Sequence, residues 1–145
     1  MSRILLTGMS GVGKSSLLAE LAARGFMTID TDYDGWTGPD GLWDEARVDN
    51  LLASHANVVL SGTTENQGQF YDRFEHIVLL TAPVAVLIER VSTRTTNPYG
   101  HTIEQQNEIR RYVAEVEPLL RRGTTVKLDA RRPLTELADA VEKLM

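Results

Sequence analysis

Residues 8–15 read Gly8-Met9-Ser10-Gly11-Val12-Gly13-Lys14-Ser15, which satisfies the pattern G-x-x-x-x-G-K-[ST]. No other stretch restricts the fold as much, because the pattern works only between a strand and a helix. The preceding Arg3-Ile4-Leu5-Leu6-Thr7 is a short apolar run suited to a buried strand. In the following Ser16-Leu17-Leu18-Ala19-Glu20-Leu21-Ala22-Ala23-Arg24 the leucines recur at helical spacing, and Gly25 supplies a stop. In this order the glycines let backbone N–H groups close around phosphate oxygens, while the new helix aims its positive end at them. Lys14 then reaches the outer phosphates and Ser15 a magnesium ion. The candidate nucleotide-binding residues are Gly8, Ser10, Gly11, Val12, Gly13, Lys14, Ser15 and Ser16.

Strand-like and helix-like segments alternate through the rest of the chain. Strands are expected at residues 26–29, 58–61, 76–80 and 125–128. Helices are expected at 42–54, 67–74, from Pro83 to about 93, at 103–122 and at 134–144. Such alternation indicates an α/β domain of three layers, a five-stranded and mainly parallel sheet covered by helices on both faces. The length, 145 residues, fits one domain with one core. Residues 94–102, which include Thr95-Thr96-Asn97-Pro98-Tyr99-Gly100, are rich in turn formers and are a candidate lid.

Charge and composition narrow the partners. Twenty acidic residues against fifteen basic ones leave a net charge of −5, which disfavours a general nucleic-acid or anionic-membrane role. The absence of cysteine excludes disulfides and thiolate zinc sites. No apolar run approaches membrane-spanning length, and the first strand starts almost at Met1, so a cytoplasmic monomer or homodimer is expected. His55, His76 and His101 are scattered and suggest no metal constellation.

Ligands of such sheets collect at the carboxyl ends of the strands. There the second strand delivers Asp30, Asp32 and Asp34, and the third delivers Ser61, Gly62, Thr63, Glu65 and Asn66. The fourth leads through its helix to Arg90 and Arg94, and the fifth to Asp129, Ala130, Arg131, Arg132 and Pro133. Arg90 and Arg94 stand four apart, so one helical face presents both guanidiniums to phosphates, unless they simply solvate a last turn. Asp32 is suited to deprotonate a hydroxyl; it and Asp34 are also suited to Asx turns or caps. Asn66 and Gln67 either hydrogen-bond a polar substrate or start the next helix. Trp36, Trp43 and Tyr99 either cover a ligand or pack in the core. Arg110, Arg111, Arg121 and Arg122 solvate an exposed helix face.

These residues in this order resemble the shikimate kinase branch of the nucleoside-monophosphate-kinase superfamily of P-loop phosphotransferases, over nearly the whole chain. Asp30-Thr31-Asp32 is similar to that family's D-x-D, and Val58-Val59-Leu60-Ser61-Gly62 to the run before its glycine triplet. Thr63 and Thr64 stand where the later glycines of that triplet belong. The resemblance implies that Asp30 supports a magnesium shell, that Asp32 takes the acceptor proton, and that Arg131 and Arg132 lie against adenine. It implies ATP and magnesium as cofactors and a small-molecule phosphate acceptor, with Asp32, Asp34, Gly62 and Asn66 as acceptor-binding candidates. Lys14, Asp32, Arg90 and Arg94 are the candidate catalytic set.

Between Phe26 and Ser61 lie seven carboxylates and a single basic residue, Arg47. That balance favours a neutral or cationic acceptor, such as a nucleoside, sugar, aminocyclitol or amino-alcohol, over an anionic one. The alternatives are a nucleoside-monophosphate or shikimate-type kinase, or an ATP-binding module without catalysis.

Overall fold

A computed structural model describes residues 2–95 and 97–145. Its strands are β1 (Arg3–Thr7), β2 (Thr28–Asp30), β3 (Val58–Ser61), β4 (His76–Thr81) and β5 (Val126–Asp129). Its helices are α1 (Lys14–Ala23), α2 (Glu45–Ser54), α3 (Val84–Thr93), α4 (Ile103–Glu115), α5 (Glu117–Gly123) and α6 (Leu134–Glu142). The strands form one sheet in the order β2-β3-β1-β4-β5, and every neighbouring pair is parallel.

The central strand shows how the sequence builds two cores. Leu5 packs on one face with Trp36, Trp43, Val48, Leu52 and Phe70, while Ile4 and Leu6 pack on the other with leucines of α1 and α6. Side chains alternate across a strand, so a run buried on both faces is apolar throughout instead of alternating. The chain crosses from β1 to β2 and β3 on one side, then returns to β4 on the other. The crevice at such a switch point is where a parallel sheet receives ligands.

Three expected elements are redrawn. The helix expected at 42–54 begins only at Glu45, because Asp44 caps it by accepting from the Arg47 N–H at 3.2 Å. Trp43 is held in extended backbone, bridged to Thr37. The long helix expected at 103–122 is two helices that break at Val116. Pro118, in the first turn of α5, has no N–H to continue the ladder of α4. The segment at 67–74 is a 3₁₀ helix over Gln67–Arg73.

Candidate active site

The phosphate loop joins β1 to α1 without a side-chain cap. The residue at the cap position is Gly13, in left-handed backbone at φ 95°, and the first turn of α1 contains no acidic residue. By contrast, α2 is capped by Asp44 and α4 by Thr102. The first N–H groups of α1 therefore remain free for an external acceptor, and the helix dipole favours an anion there. Gly11, at φ 90°, lies so close to α3 that a Cβ would stand 2.9 Å from the Leu87 carbonyl oxygen. The loop needs glycine there for both reasons.

Lys14 turns back over this loop, its Nζ donating to the Gly8 carbonyl at 2.5 Å. Desolvation lowers its pKa to about 8, opposed by the nearby charges of Asp32 and Asp30 and aided by that of Arg94. Asp30 ends β2, and its Oδ2 accepts from the Ser15 hydroxyl at 3.0 Å. Its Oδ1 accepts from the Asp32 N–H at 3.1 Å, which turns the chain and brings Asp32 toward the loop. Partial burial raises the Asp32 pKa, Lys14 opposes the shift, and Asp30 adds to it. The start of α1 and the end of β2 therefore bring together a lysine, a hydroxyl and two carboxylates.

A cavity of about 680 Å³ opens onto this group. Gly8, Met9, Ser10, Lys14 and Asp32 line one side, with Thr63, Thr64 and Glu65 from the stretch after β3. The rest of the lining includes a wall of Tyr71, Ile109, Tyr112, Val116, Leu119 and Leu120. Sequence reasoning missed that wall, although the apolar spacing of 109, 112, 116 and 120 was visible beside the arginines of α4 and α5. It also missed the clamp made by Thr63. The Thr63 hydroxyl lies 2.7 Å from the Gly8 carbonyl, to which it donates, and 3.0 Å from the Thr7 hydroxyl. Gln67 extends the same network, its Nε2 donating to Tyr71 Oη at 2.8 Å and Thr7 Oγ1 at 3.3 Å.

Arg90 is committed to scaffold carbonyls, Gly11 and Val12 at 3.3 Å each and Ala130 at 2.7 Å. It ties the phosphate loop to the turn after β5. Arg94 donates to the carbonyls of Asn97 at 3.2 Å and Tyr99 at 2.8 Å, and its charge is felt at Lys14. The expected lid at residues 94–102 includes Thr96, which lies outside the described residues.

Several other site candidates lie away from the cavity or make contacts within the protein. Three of the four acceptor-binding candidates do not line the cavity, and only Asp32 does. Gly62 is packed against Thr31 and Trp43 where a Cβ would overlap them. Asn66 is buried, its amide bonded to both the N–H and the carbonyl of Trp43 at 3.0 and 3.1 Å. Asp34 occupies left-handed backbone at φ 61° and offers its carbonyl to Arg47 at 2.5 Å. Arg131 is paired with Asp129, with Nη2 to Oδ2 at 2.8 Å, which holds that carboxylate down at about 2. Arg132 leans toward Glu136 at 3.5 Å.

The carboxylates counted between Phe26 and Ser61 are also mostly engaged elsewhere. Asp40 accepts from the Leu42 N–H, Asp44 caps α2, Glu45 meets Asn66 and Asp49 pairs with Arg73. Arg47 stacks over Trp36 at 3.9 Å. Asx and cap geometry takes up Asp40 and Asp44, and tertiary contacts take up Glu45 and Asp49.

Comparisons with known proteins agree with this geometry. No curated protein matches the chain. The sequence profile of a family described as an AAA domain matches residues 4–112. Among solved structures, shikimate kinase from Acinetobacter baumannii in complex with shikimate aligns at TM-score 0.73 and 21% identity. That alignment covers 99% of this chain and 92% of the other. A gluconokinase from Sinorhizobium meliloti 1021 aligns at TM-score 0.63 and 25% identity, over 95% of this chain and 87% of that one. Deoxyadenosine kinase from M. mycoides with bound dATP aligns at TM-score 0.63 and 13% identity, over 99% and 98%. The chain belongs to the AAA domain family, with the α/β fold of the P-loop small-molecule kinases.

Proposed function

We propose that the protein is an ATP- and magnesium-dependent phosphotransferase acting on a hydroxyl of a small neutral or cationic molecule. The observation that carries this reading is Asp32, a partly desolvated carboxylate with a raised pKa that lines the same cavity as the phosphate loop and Lys14. A carboxylate so tuned is suited to accept a proton from an alcohol. The hydroxyl oxygen bonds to the terminal phosphorus, its proton passes to Asp32, and the bond to the bridging oxygen breaks to release ADP. Lys14 and the free N–H groups of α1 hold the charge that develops on the transferred group.

Ser15 and Asp30 fit magnesium, since a hydroxyl and a carboxylate already meet at 3.0 Å and both are hard oxygen donors. The ion would neutralise phosphate charge when bound. Arg90 positions the loop through its three carbonyls, and Arg94 contributes charge beside Lys14.

The acceptor is neutral or cationic because Lys14 is the only basic side chain among the described residues lining the cavity. Phosphates already claim Lys14, so an anionic acceptor such as shikimate would face Asp32 and Glu65 without a cation of its own. Phosphate transfer from γ-labelled ATP should be screened across nucleosides, sugars and amino-alcohols, against shikimate and nucleoside monophosphates. Transfer to a neutral or cationic member is expected. Efficient transfer confined to the anionic compounds would overturn the proposal.

A further inference from the structure

The lining of the cavity combines two kinds of side chain. Beside the phosphate loop the side chains are polar, with Asp32 and Glu65 as carboxylates. The same cavity is also lined by Tyr71, Ile109, Tyr112, Val116, Leu119 and Leu120, from the 3₁₀ segment, α4, the Val116 junction and α5. Ile109 and Leu120 belong to the core, at 1% and 6% exposure, but Tyr112 and Leu119 remain 43% and 56% exposed. Exposed Tyr and Leu on the wall of a concave site cost hydration that only a ligand surface relieves. A sugar, cyclitol or short amino-alcohol has less apolar surface to bury against that wall than an aromatic ring has.

We propose that the acceptor is a two-faced alcohol, with a flat aromatic or cyclic hydrocarbon part against Tyr112 and Leu119 and a neutral or cationic polar part between Asp32 and Glu65. Nucleosides and aryl amino-alcohols are of this class. The inference rests on the phosphotransferase reading for the position of the reacting hydroxyl, and it narrows the acceptor within that reading. The wall is kept in place by three contacts. Tyr71 is held by Gln67 through its hydroxyl and lies against Gly123, where any Cβ would overlap the ring. Glu117 anchors the start of α5 to β4 by accepting from Thr81 Oγ1 at 2.5 Å. Glu65 is exposed and, among the described residues, forms no side-chain hydrogen bond or ion pair, so its carboxylate is available to a ligand ammonium or hydroxyl.

The test separates binding from transfer. Calorimetric titrations with magnesium and ADP present should compare matched pairs, 2-amino-1-phenylethanol with ethanolamine and adenosine with ribose. The aromatic member of at least one pair is expected to bind about ten- to a hundredfold tighter, the range for burying one aromatic group. Leu119→Gln and Tyr112→Ser change exposed positions that the fold tolerates, and each should reduce that preference several-fold. Glu65→Gln should weaken the amine more than 1-phenylethanol. Equal or tighter binding of the stripped partners, an unchanged preference in both wall variants, or no binding of any aromatic probe would each overturn the proposal. Aromatic preference without phosphate transfer to any probe would count against the kinase reading alone.

Discussion

Lys14 and Asp32 line the same cavity and feel each other's charge, and their shifts carry opposite consequences. Lys14 is lowered to about 8 by desolvation, so in the empty protein it loses its proton as pH rises through about 8. Bound phosphates favour the charged form and raise that pKa again. ATP affinity is therefore expected to fall between pH 7 and pH 9, and binding near pH 8.5 should take up protons. Calorimetry in buffers of different ionisation enthalpy reads both effects, and a pH-independent affinity would contradict them. Gly62 makes a different prediction. Its missing Cβ leaves room for Thr31 and for the Trp43 indole, whose N–H donates to Thr31 Oγ1 at 3.0 Å. Gly62→Ala should cost about 1–3 kcal/mol of stability through overpacking, read as a lower midpoint in urea. Residue roles were legible in part. Lys14, Ser15, Asp30 and Asp32 lie at a motif and a strand end, a placement that spacing reveals. Asn66 and Arg131 look alike on paper, but their side chains bond to Trp43 and Asp129, and the first of those pairings depends on packing that spacing does not encode.

At the scale of elements, the segment after α3 is more firmly tied than its turn-rich composition suggests. Arg94 holds two of its carbonyls, the Gly100 N–H donates to Gln105 at 2.8 Å, and Gln106 donates back to the Gly100 carbonyl at 3.0 Å. Tyr99 donates to Glu108, and burial with that carboxylate pushes its pKa up to about 12. These bonds attach the segment to the first turns of α4, which carries Ile109 and Tyr112 into the cavity wall. Nucleotide binding is therefore expected to protect residues 97–112 together in hydrogen exchange with a non-hydrolysable ATP analogue and magnesium. Protection of the loop with none in the first turns of α4 would contradict this coupling. The break at Val116 has a cause visible in the sequence as Pro118, yet the apolar residues on either side, Ile109, Val113 and Leu120, read as one continuous helical stripe. Periodicity reports which face is buried; it is weaker at reporting where a helix changes direction.

At the scale of the molecule, the alternation of strands and helices anticipated the architecture because both faces of a parallel sheet must be covered, and apolar runs such as Ile4-Leu5-Leu6 record that burial directly. The acceptor side was less legible, since its wall is assembled from the 3₁₀ segment, α4 and α5, which only tertiary packing brings together. Among the described residues no helix is long and apolar enough to cross a membrane. The central claim is that one cleft holds the triphosphate through Lys14 and activates the acceptor through Asp32. Its most direct test is single-turnover phosphate transfer from magnesium–ATP to the best acceptor in wild type, Lys14→Ala and Asp32→Asn, with ATP affinity measured in parallel. The predicted result is a split. Lys14→Ala should lose both affinity and transfer, by about 10²-fold or more in rate. Asp32→Asn should keep ATP affinity within a few-fold and transfer about 10²–10⁴-fold more slowly. Transfer at the wild-type rate in either folded variant would contradict the account.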